Sequence, residues 1–228
     1  AVALELGLDC TKAITLTNSQ LNALPTDGPI TRLVAGPNGE RYFINDGKIQ
    51  EILDDASVSA AGLKLPAVTN ATLADFSHLP WGTPIVADGS LFQDRTTKQW
   101  GVYSGGVFYR IDADLDKDVD FAKWFRPSES TLSANGLSAV DTGLNLRPFI
   151  KDTTGAYWLL TADGAQAVSR TSPMLIDVPL VESKFIGELD VITGTVTSPA
   201  FVKNSVNKPT YFVREGVARQ VLSGTDRT

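Results

Sequence analysis

The sequence predicts an all-β fold with short helices, in which four repeats close into a toroid, and a four-bladed β-propeller is the form that we expect. Four times along the 228 residues, an aromatic strand runs into a turn glycine. These glycines lie at positions 47, 105, 164 and 216, so that neighbours are 58, 59 and 52 residues apart. The residues after Gly216 and those up to Gly47 together supply a further interval of 59. A repeat that begins and ends in mid-unit is typical of a circular array.

We therefore expect one domain over residues 1–228, with four repeats of about 57 residues and with the N- and C-termini completing one repeat. Closure would hide the sheet edges that an open array leaves exposed. An open solenoid is the first alternative, but a solenoid needs polar caps at both ends. A β-rich domain without this symmetry is the second alternative.

Each repeat is expected to open with a proline and an apolar strand, because proline at the first strand position removes no ladder hydrogen bond that matters. The four prolines are Pro29, Pro84, Pro148 and Pro199. A polar turn then leads to the aromatic strand. Asp46-Gly47 predicts the tight turn that follows, since glycine accepts the positive φ of hairpin turns. The third strand of the first repeat is predicted at residues 48–53.

A short helix and a fourth strand are expected to complete the repeat. Residues 55–62 predict a helix, because an acid stands at the start and a glycine at the end. Residues 118–124 are a second helix candidate. The fourth strands are predicted at residues 13–18, 66–70, 138–141 and 190–194.

Residues 41–53 and 79–85, with Leu24-Pro25 and Gly28-Pro29-Ile30, form a recurring pattern of short motifs. This pattern resembles tandem repeats in secreted and cell-surface proteins of actinobacteria and related bacteria. The resemblance implies an extracellular module that binds wall or surface components and has no activity of its own. The unit is also similar to a hemopexin-type propeller blade, although the single Cys10 cannot form the disulfide that closes that domain.

Composition argues against two classes of partner. The net charge is −6 and there is no run of Lys or Arg, whereas binding to nucleic acid requires a basic surface that neutralises phosphates. The same shortage of basic residues argues against anionic lipid surfaces. No stretch of about 18 apolar residues is present, so we expect no membrane-spanning segment.

Catalytic motifs are missing from the sequence. A nucleophilic serine or cysteine normally needs a histidine base; the single histidine is His78, and no serine lies in a Gly-x-Ser-x-Gly elbow. One Cys and one His cannot complete a usual structural zinc site. A pair of carboxylates could serve a glycoside hydrolase, but among 26 acidic residues no spacing selects a pair. We therefore expect a protein that is not an enzyme, with a carboxylate-based glycoside hydrolase as the least favoured alternative.

An alternating run of acids suggests the one candidate cofactor, Ca²⁺. Asp112, Asp114 and Asp116 could supply the oxygen ligands that this cation prefers. The run departs from an EF-hand loop, because Lys117 replaces the turn glycine and Lys123 replaces the bidentate glutamate. A solvated turn before a helix is the alternative, since the first turn of a helix favours acids.

Aromatic residues are the candidate ligand-binding groups, because their rings stack on sugars and other half-apolar ligands. Trp81 is the first candidate because it lies in a loop between Pro80 and Gly82, and Trp124 and Tyr109 are the others. Together these observations predict a secreted or cell-surface binding module for cell-wall glycan (a carbohydrate) or for a surface protein. A structural or protein-interaction propeller domain is the alternative.

Overall fold

The computed structural model describes residues 6, 9–25, 29–69, 71–111, 131–138, 144–161, 163–169, 178–196, 200–203, 210–214 and 217–220. Within these ranges the chain forms 17 β-strands, four short α-helices and two 3-10 helices. The α-helices are α1 (Asn18–Asn22), α2 (Asp55–Ala60), α3 (Ala134–Ser138) and α4 (Ser183–Gly187). The 3-10 helices are Cys10–Lys12 and Leu73–Phe76.

The strands are short, and in chain order they are β1 (Leu33–Ala35), β2 (Arg41–Asn45), β3 (Lys48–Ile52), β4 (Val68–Thr69), β5 (Leu91–Asp94), β6 (Trp100–Ser104), β7 (Val107–Arg110), β8 (Thr131–Leu132), β9 (Leu144–Asn145), β10 (Phe149–Asp152), β11 (Tyr157–Thr161), β12 (Gly164–Val168), β13 (Leu180–Val181), β14 (Val191–Val196), β15 (Ala200–Lys203), β16 (Thr210–Arg214) and β17 (Val217–Gln220).

These strands form four sheets, with the orders β3-β2-β1-β4, β8-β5-β6-β7-β9, β13-β10-β11-β12-β14 and β15-β16-β17. Each sheet is built on three strands that follow one another in the chain, and their registered pairs are antiparallel. In three sheets a short parallel strand flanks the first of these strands, namely β4, β8 or β13. In two sheets a parallel strand, β9 or β14, flanks the third.

The prediction of a closed toroid is wrong. The described strands form four separate sheets, three of them mixed, and no propeller or barrel closes over these strands. The strand predicted at residues 13–18 is one reason, because residues 13–17 are irregular and α1 begins at Asn18. Thr17 caps this helix: its hydroxyl accepts from the Gln20 amide at 3.2 Å, and the Gln20 side chain accepts from the Thr17 amide at 3.0 Å.

Most of the other predicted elements are present. Asp46 and Gly47 both have positive φ, 49° and 66°, as the tight turn requires. Helix α2 is confirmed, and Asp54 caps it by accepting from the Ser57 amide at 2.7 Å. Strands β4 and β14 lie within or overlap two of the predicted fourth strands. The predicted helix at 118–124 lies outside the described residues.

Contacts group the chain into two compact units, which we describe separately. Unit 1 comprises Ala1–Ala87, Phe92–Lys98 and Phe125–Asp141, and unit 2 comprises Asp88–Leu91, Gln99–Trp124 and Thr142–Thr228. The prediction of one domain with four repeats stays a prediction.

The core of unit 1 covers both faces of the sheet around β2. Successive side chains of a strand point to opposite faces. One face therefore buries a cluster made of Leu6, Val34, Tyr42, Ile44, Ile49, Phe76 and Leu79. The other face buries Leu33, Phe43, Ile52, Val58 and Ile85. A sheet that is buried on both faces explains why β2 is an almost continuous apolar run.

In unit 2 the described core gathers on the β10–β11–β12 meander. Phe149, Leu159 and Val168 form a buried cluster, with Val178 and Val196 packed against it. Helix α4 contributes Phe185 and Ile186, which are both buried.

Candidate functional site

Unit 1 contains a buried group of charged and hydroxyl side chains, which we call the Glu51 cluster: Glu40, Tyr42, Glu51, Arg95, Thr131 and Ser133. Glu51 lies in β3, two residues after Ile49, so strand alternation places its side chain on a face where Ile49 is buried. Burying a carboxylate is costly unless it is paired and hydrogen-bonded. The position therefore requires partners from elsewhere in unit 1.

Glu51 is fully buried, and both of its carboxylate oxygens accept hydrogen bonds. One oxygen accepts from Nη2 of Arg95 at 2.6 Å. The other accepts from the backbone amide of Ser133 at 2.8 Å and from its hydroxyl at 2.7 Å. These contacts join β3 to the segment that links β8 to α3.

Arg95 connects the rest of the cluster. Its Nε donates to the Thr131 hydroxyl and its Nη2 to the Thr131 carbonyl, both at 3.2 Å. Its Nε also lies 3.6 Å from a carboxylate oxygen of Glu40. Burial lowers the pKa of Arg95, but the hydrogen bond and charge of Glu51 outweigh burial and raise it above the ordinary value. The guanidinium is therefore a permanent cation between two acids.

Glu40 and Tyr42 flank this cation. Burial raises the pKa of Glu40, but hydrogen bonds from Asn38 outweigh it, so that the pKa is lower than usual. The two bonds run from the Asn38 amide at 2.9 Å and from its side-chain nitrogen at 3.1 Å. Burial, with the negative charge of Glu51, raises the pKa of Tyr42 to about 12.

The hydrogen bonds of the Glu51 cluster serve to hold parts of unit 1 together, and we call such a group a structural joint. Ser133 donates its hydroxyl to Glu51 and accepts from the Gly136 amide at 3.1 Å, which places it at the start of α3. This hydroxyl is consequently engaged on both sides. The acids likewise direct their oxygens to donors of their own chain. No local motif predicts this cluster. The one indication in the sequence is that Glu51 stands at a position of β3 where strand alternation predicts burial.

A second buried acid, Asp152 in unit 2, has a similar role. One oxygen accepts from the amides of Thr154 and Ala156, at 2.9 Å and 3.0 Å. The other accepts from the indole nitrogen of Trp158 at 2.8 Å. Burial raises the pKa of Asp152, but the hydrogen bonds from Thr154 and Trp158 outweigh it and lower the pKa. Asp152 therefore holds the turn between β10 and β11.

The exposed feature of unit 1 is its N-terminal segment, which we define as residues 13–25 with 29–30. Helix α1 in this segment has no buried residue. Five large aliphatic side chains are exposed: Ile14 (85%), Leu16 (42%), Leu21 (54%), Leu24 (52%) and Ile30 (52%). Isolated exposed leucines are ordinary, whereas five exposed aliphatic side chains in one short stretch are uncommon on a protein surface.

Two of the predicted ligand-binding residues lie within the described ranges, Trp81 in unit 1 and Tyr109 in unit 2. Trp81 is half-buried and packs edge-on against Tyr42, with ring centroids 5.8 Å apart. Its backbone is bridged to Ile49 of β3. Tyr109 lies in β7 of unit 2, half-buried and paired with Val102 and Leu144. Trp124 and the calcium candidates Asp112, Asp114 and Asp116 lie outside the described residues, so these assignments stay predictions.

Two kinds of feature are absent from the described ranges. No group of three or more His, Cys, Asp or Glu side chains there is arranged to hold a metal ion. No helix in those ranges is long and apolar enough to cross a bilayer. His78 is exposed on the loop before Leu79.

No protein-family model and no curated protein matches the sequence. Among solved structures, the chain is similar to one from the periplasmic assembly of the ESX-5 inner membrane complex, at 11% identity and a TM-score of 0.19, covering 88% of this chain and 71% of that one. A chain of an intact ESX-5 inner membrane complex gives 12% identity and a TM-score of 0.20, with 89% and 62% covered. At such scores the two folds do not superpose, so neither structure carries an argument about this one.

Proposed function

We propose that this chain is a non-catalytic binding module that acts outside the cytoplasm, in a secreted or cell-surface protein, and recognises a protein partner. The observation that carries the proposal is the N-terminal segment, where Leu21, Leu24 and Ile30 are each about half exposed. Removing apolar surface from water is worth about 25 cal/mol per Å². Burial of these side chains by a partner would therefore contribute favourably to the free energy of binding.

The absence of catalysis is proposed from how the acids are used. Perturbed pKa values often mark catalytic groups. Here the shifted acids Glu40 and Asp152, and the buried Glu51, accept hydrogen bonds from their own chain. The lowered pKa values of Glu40 and Asp152 therefore have a structural cause, which supports binding over hydrolysis.

The location is proposed from the resemblance of residues 41–53 and 79–85 to repeats of secreted and cell-surface proteins.

Cell-wall glycan is the second candidate ligand, and the exposed part of Trp81 is the observation that favours it. An indole face can stack on a sugar ring. Because Trp81 also packs on Tyr42 at 5.8 Å, a Trp81→Phe variant preserves much of that packing while reducing the stacking surface.

The test is site-specific photo-crosslinking in the cells that produce the protein. A photoreactive residue replaces Leu21, and a matched control replaces Ala60, which is exposed on α2. We expect a discrete protein adduct from position 21 and none from position 60, with the adduct lost in a Leu24→Asp background. No adduct, together with co-sedimentation on purified wall glycan that Trp81→Phe abolishes, would overturn the protein proposal in favour of glycan.

A further inference from the structure

We propose that the partner of the N-terminal segment is a second copy of this chain, and that the segment docks as a parallel strand on the outer edge of β17 in that copy. The inference rests on the proposed function, because it names the partner of the same surface. The observation that carries it is an internal repeat. Unit 1 contains another version of the N-terminal segment, and this version is docked on a strand edge.

The docked copy is residues 72–85, which repeat residues 17–30 at a distance of 55 positions. Thr17 and Thr72 each begin a short helix with a capping box, closed by Gln20 and Asp75 respectively. Leu24-Pro25 matches Leu79-Pro80, and Pro29-Ile30 matches Pro84-Ile85. Sequence and local structure therefore identify the two stretches as versions of one element.

The copy at 72–85 shows what this element binds. The Ile49 amide donates to the Pro80 carbonyl at 2.9 Å, and the Gly82 amide donates to the Ile49 carbonyl at 2.9 Å. The Ile85 amide donates to the Glu51 carbonyl at 2.8 Å. These bonds add a parallel segment to the outer edge of β3, which is the second strand of the β2–β3 hairpin.

The apolar positions of the two versions differ in exposure. In the docked version Phe76, Leu79 and Ile85 are 2%, 9% and 7% exposed. The matching Leu21, Leu24 and Ile30 are 54%, 52% and 52% exposed. The N-terminal segment thus has the sequence of a docking element, and within the described ranges it covers no hairpin edge.

The hairpin β16–β17 offers the matching acceptor. Its register pairs Val213 with Ala218 and Tyr211 with Gln220, as β2–β3 pairs Ile44 with Ile49 and Tyr42 with Glu51. Ala218 and Gln220 therefore occupy the positions whose backbone groups face outward in β3. The third strands β7 and β12 carry parallel neighbours, whereas the described part of the last sheet ends at β17.

An exposed donor segment and an acceptor edge that no other described strand covers, both on the same chain, define a heterologous interface. Strand addition to a sheet edge supplies main-chain hydrogen bonds, and the side chains supply specificity. Copies joined in this way associate head to tail, as rings or as open chains. The mass of the assembly should therefore rise with concentration beyond that of a dimer.

The test is complementation between two variants in a Cys10→Ser background, which removes the exposed thiol. The donor variant is Leu24→Asp with Ile30→Asp. The acceptor variant is Ala218→Pro, because proline there removes an outward amide and leaves the β16–β17 ladder intact. Gln220→Pro is a second acceptor variant on the same reasoning. Val191→Asp, at an aliphatic residue of β14 that is 59% exposed, is the control.

Sedimentation velocity across a concentration series gives the readout, with circular dichroism confirming that each variant is folded. We expect the parent and the control to associate, and each single variant to associate at least about tenfold more weakly. Mixing donor and acceptor variants should restore a complex that stops at two chains. A parent that stays monomeric throughout, or a mixture that restores nothing, would overturn the inference.

The two proposals fail separately. If the parent stays monomeric while position 21 crosslinks a different protein, the second-copy inference is wrong and the proposed function stands. If position 21 crosslinks nothing and the parent stays monomeric, both are wrong.

Discussion

At the scale of single residues, Glu51 is the side chain on which unit 1 most depends. It accepts three hydrogen bonds within the part of the chain described, one of them from Arg95 at 2.6 Å. Removing one partner of a buried ion pair is far more costly than the pair is worth, because the other charge is left uncompensated.

We therefore expect Glu51→Gln to lower the free energy of unfolding by about 3 kcal/mol. The control is Asp55→Asn, which breaks an ion pair with Arg41 at 2.6 Å in which the Asp55 side chain is 90% exposed. Such a surface pair is worth about 0–1 kcal/mol. Urea denaturation of both variants measures the difference, and equal losses would show that the Glu51 cluster is not a joint.

Asp152 gives a prediction about pH. Its pKa is lowered in the folded chain, so its contribution to stability is present above the unfolded pKa and is lost as pH falls through the folded pKa. The pKa of an aspartate in an unfolded chain is about 3.9. We expect Asp152→Asn to cost about 1–2 kcal/mol at pH 7 and to flatten the loss of stability below about pH 4.

Thermal unfolding between neutral and acid pH checks this, and Asp163→Asn, at an exposed turn, serves as the control. If the Asp152→Asn chain loses stability with acid as steeply as the parent does, Asp152 is not the group responsible.

Side-chain contacts between residues far apart in the sequence were the part of the structure that sequence patterns did not predict. Trp81 is a ligand-binding candidate because it lies in a loop between Pro80 and Gly82; its ring is half-buried and packs on Tyr42, its backbone is bridged to Ile49, and its role in binding stays a prediction. Arg95 joins Glu51 across 44 positions of sequence, and no local pattern records such a contact.

At the scale of elements, the close approach of α3 to β3 distinguishes two helical glycines. A Cβ added to Gly136 would lie 2.8 Å from a carboxylate oxygen of Glu51, whereas one added to Gly187 in α4 meets nothing within 4 Å. Alanine is otherwise favoured over glycine in a helix by about 1 kcal/mol.

We therefore expect Gly187→Ala to raise the melting temperature slightly and Gly136→Ala to lower it, because the second change pushes against Glu51. Differential scanning calorimetry of both variants measures the signs. A stabilising Gly136→Ala would mean that α3 does not lie against Glu51.

Sequence patterns located the hairpins well and the flanking strands less well. Pro148 and Pro199 directly precede β10 and β15, as expected. Pro84, in contrast, precedes Ile85, which is bridged to Ile52 of β3, and the first strand of that meander is β5 instead. The same apolar run after a proline can open one sheet or add a strand to another, and sequence periodicity does not distinguish the two.

At the scale of the whole chain, the similar spacing of the turn glycines predicted repeated three-stranded meanders, and the described strands form them. It did not predict whether the sheets close into a ring, and the fourth strand expected at residues 13–18 is not formed. The capping box of Thr17 and Gln20 favours a helix at that point over the alternating pattern of Ile14 and Leu16. The helix cap of Thr17 and Gln20 is thus a local preference that competes with the strand predicted at residues 13–18.

The most direct test of the central claim, that the N-terminal segment is an uncovered docking element, is amide hydrogen exchange resolved by residue. In dilute protein we expect Gln20–Leu24 to exchange quickly while the docked counterpart Asp75–Leu79 is protected, since only the latter packs on β3 in the described structure. Raising the protein concentration should slow exchange at Gln20–Leu24 and leave Asp75–Leu79 unchanged. Equal protection of both stretches in dilute, monomeric protein would contradict the account.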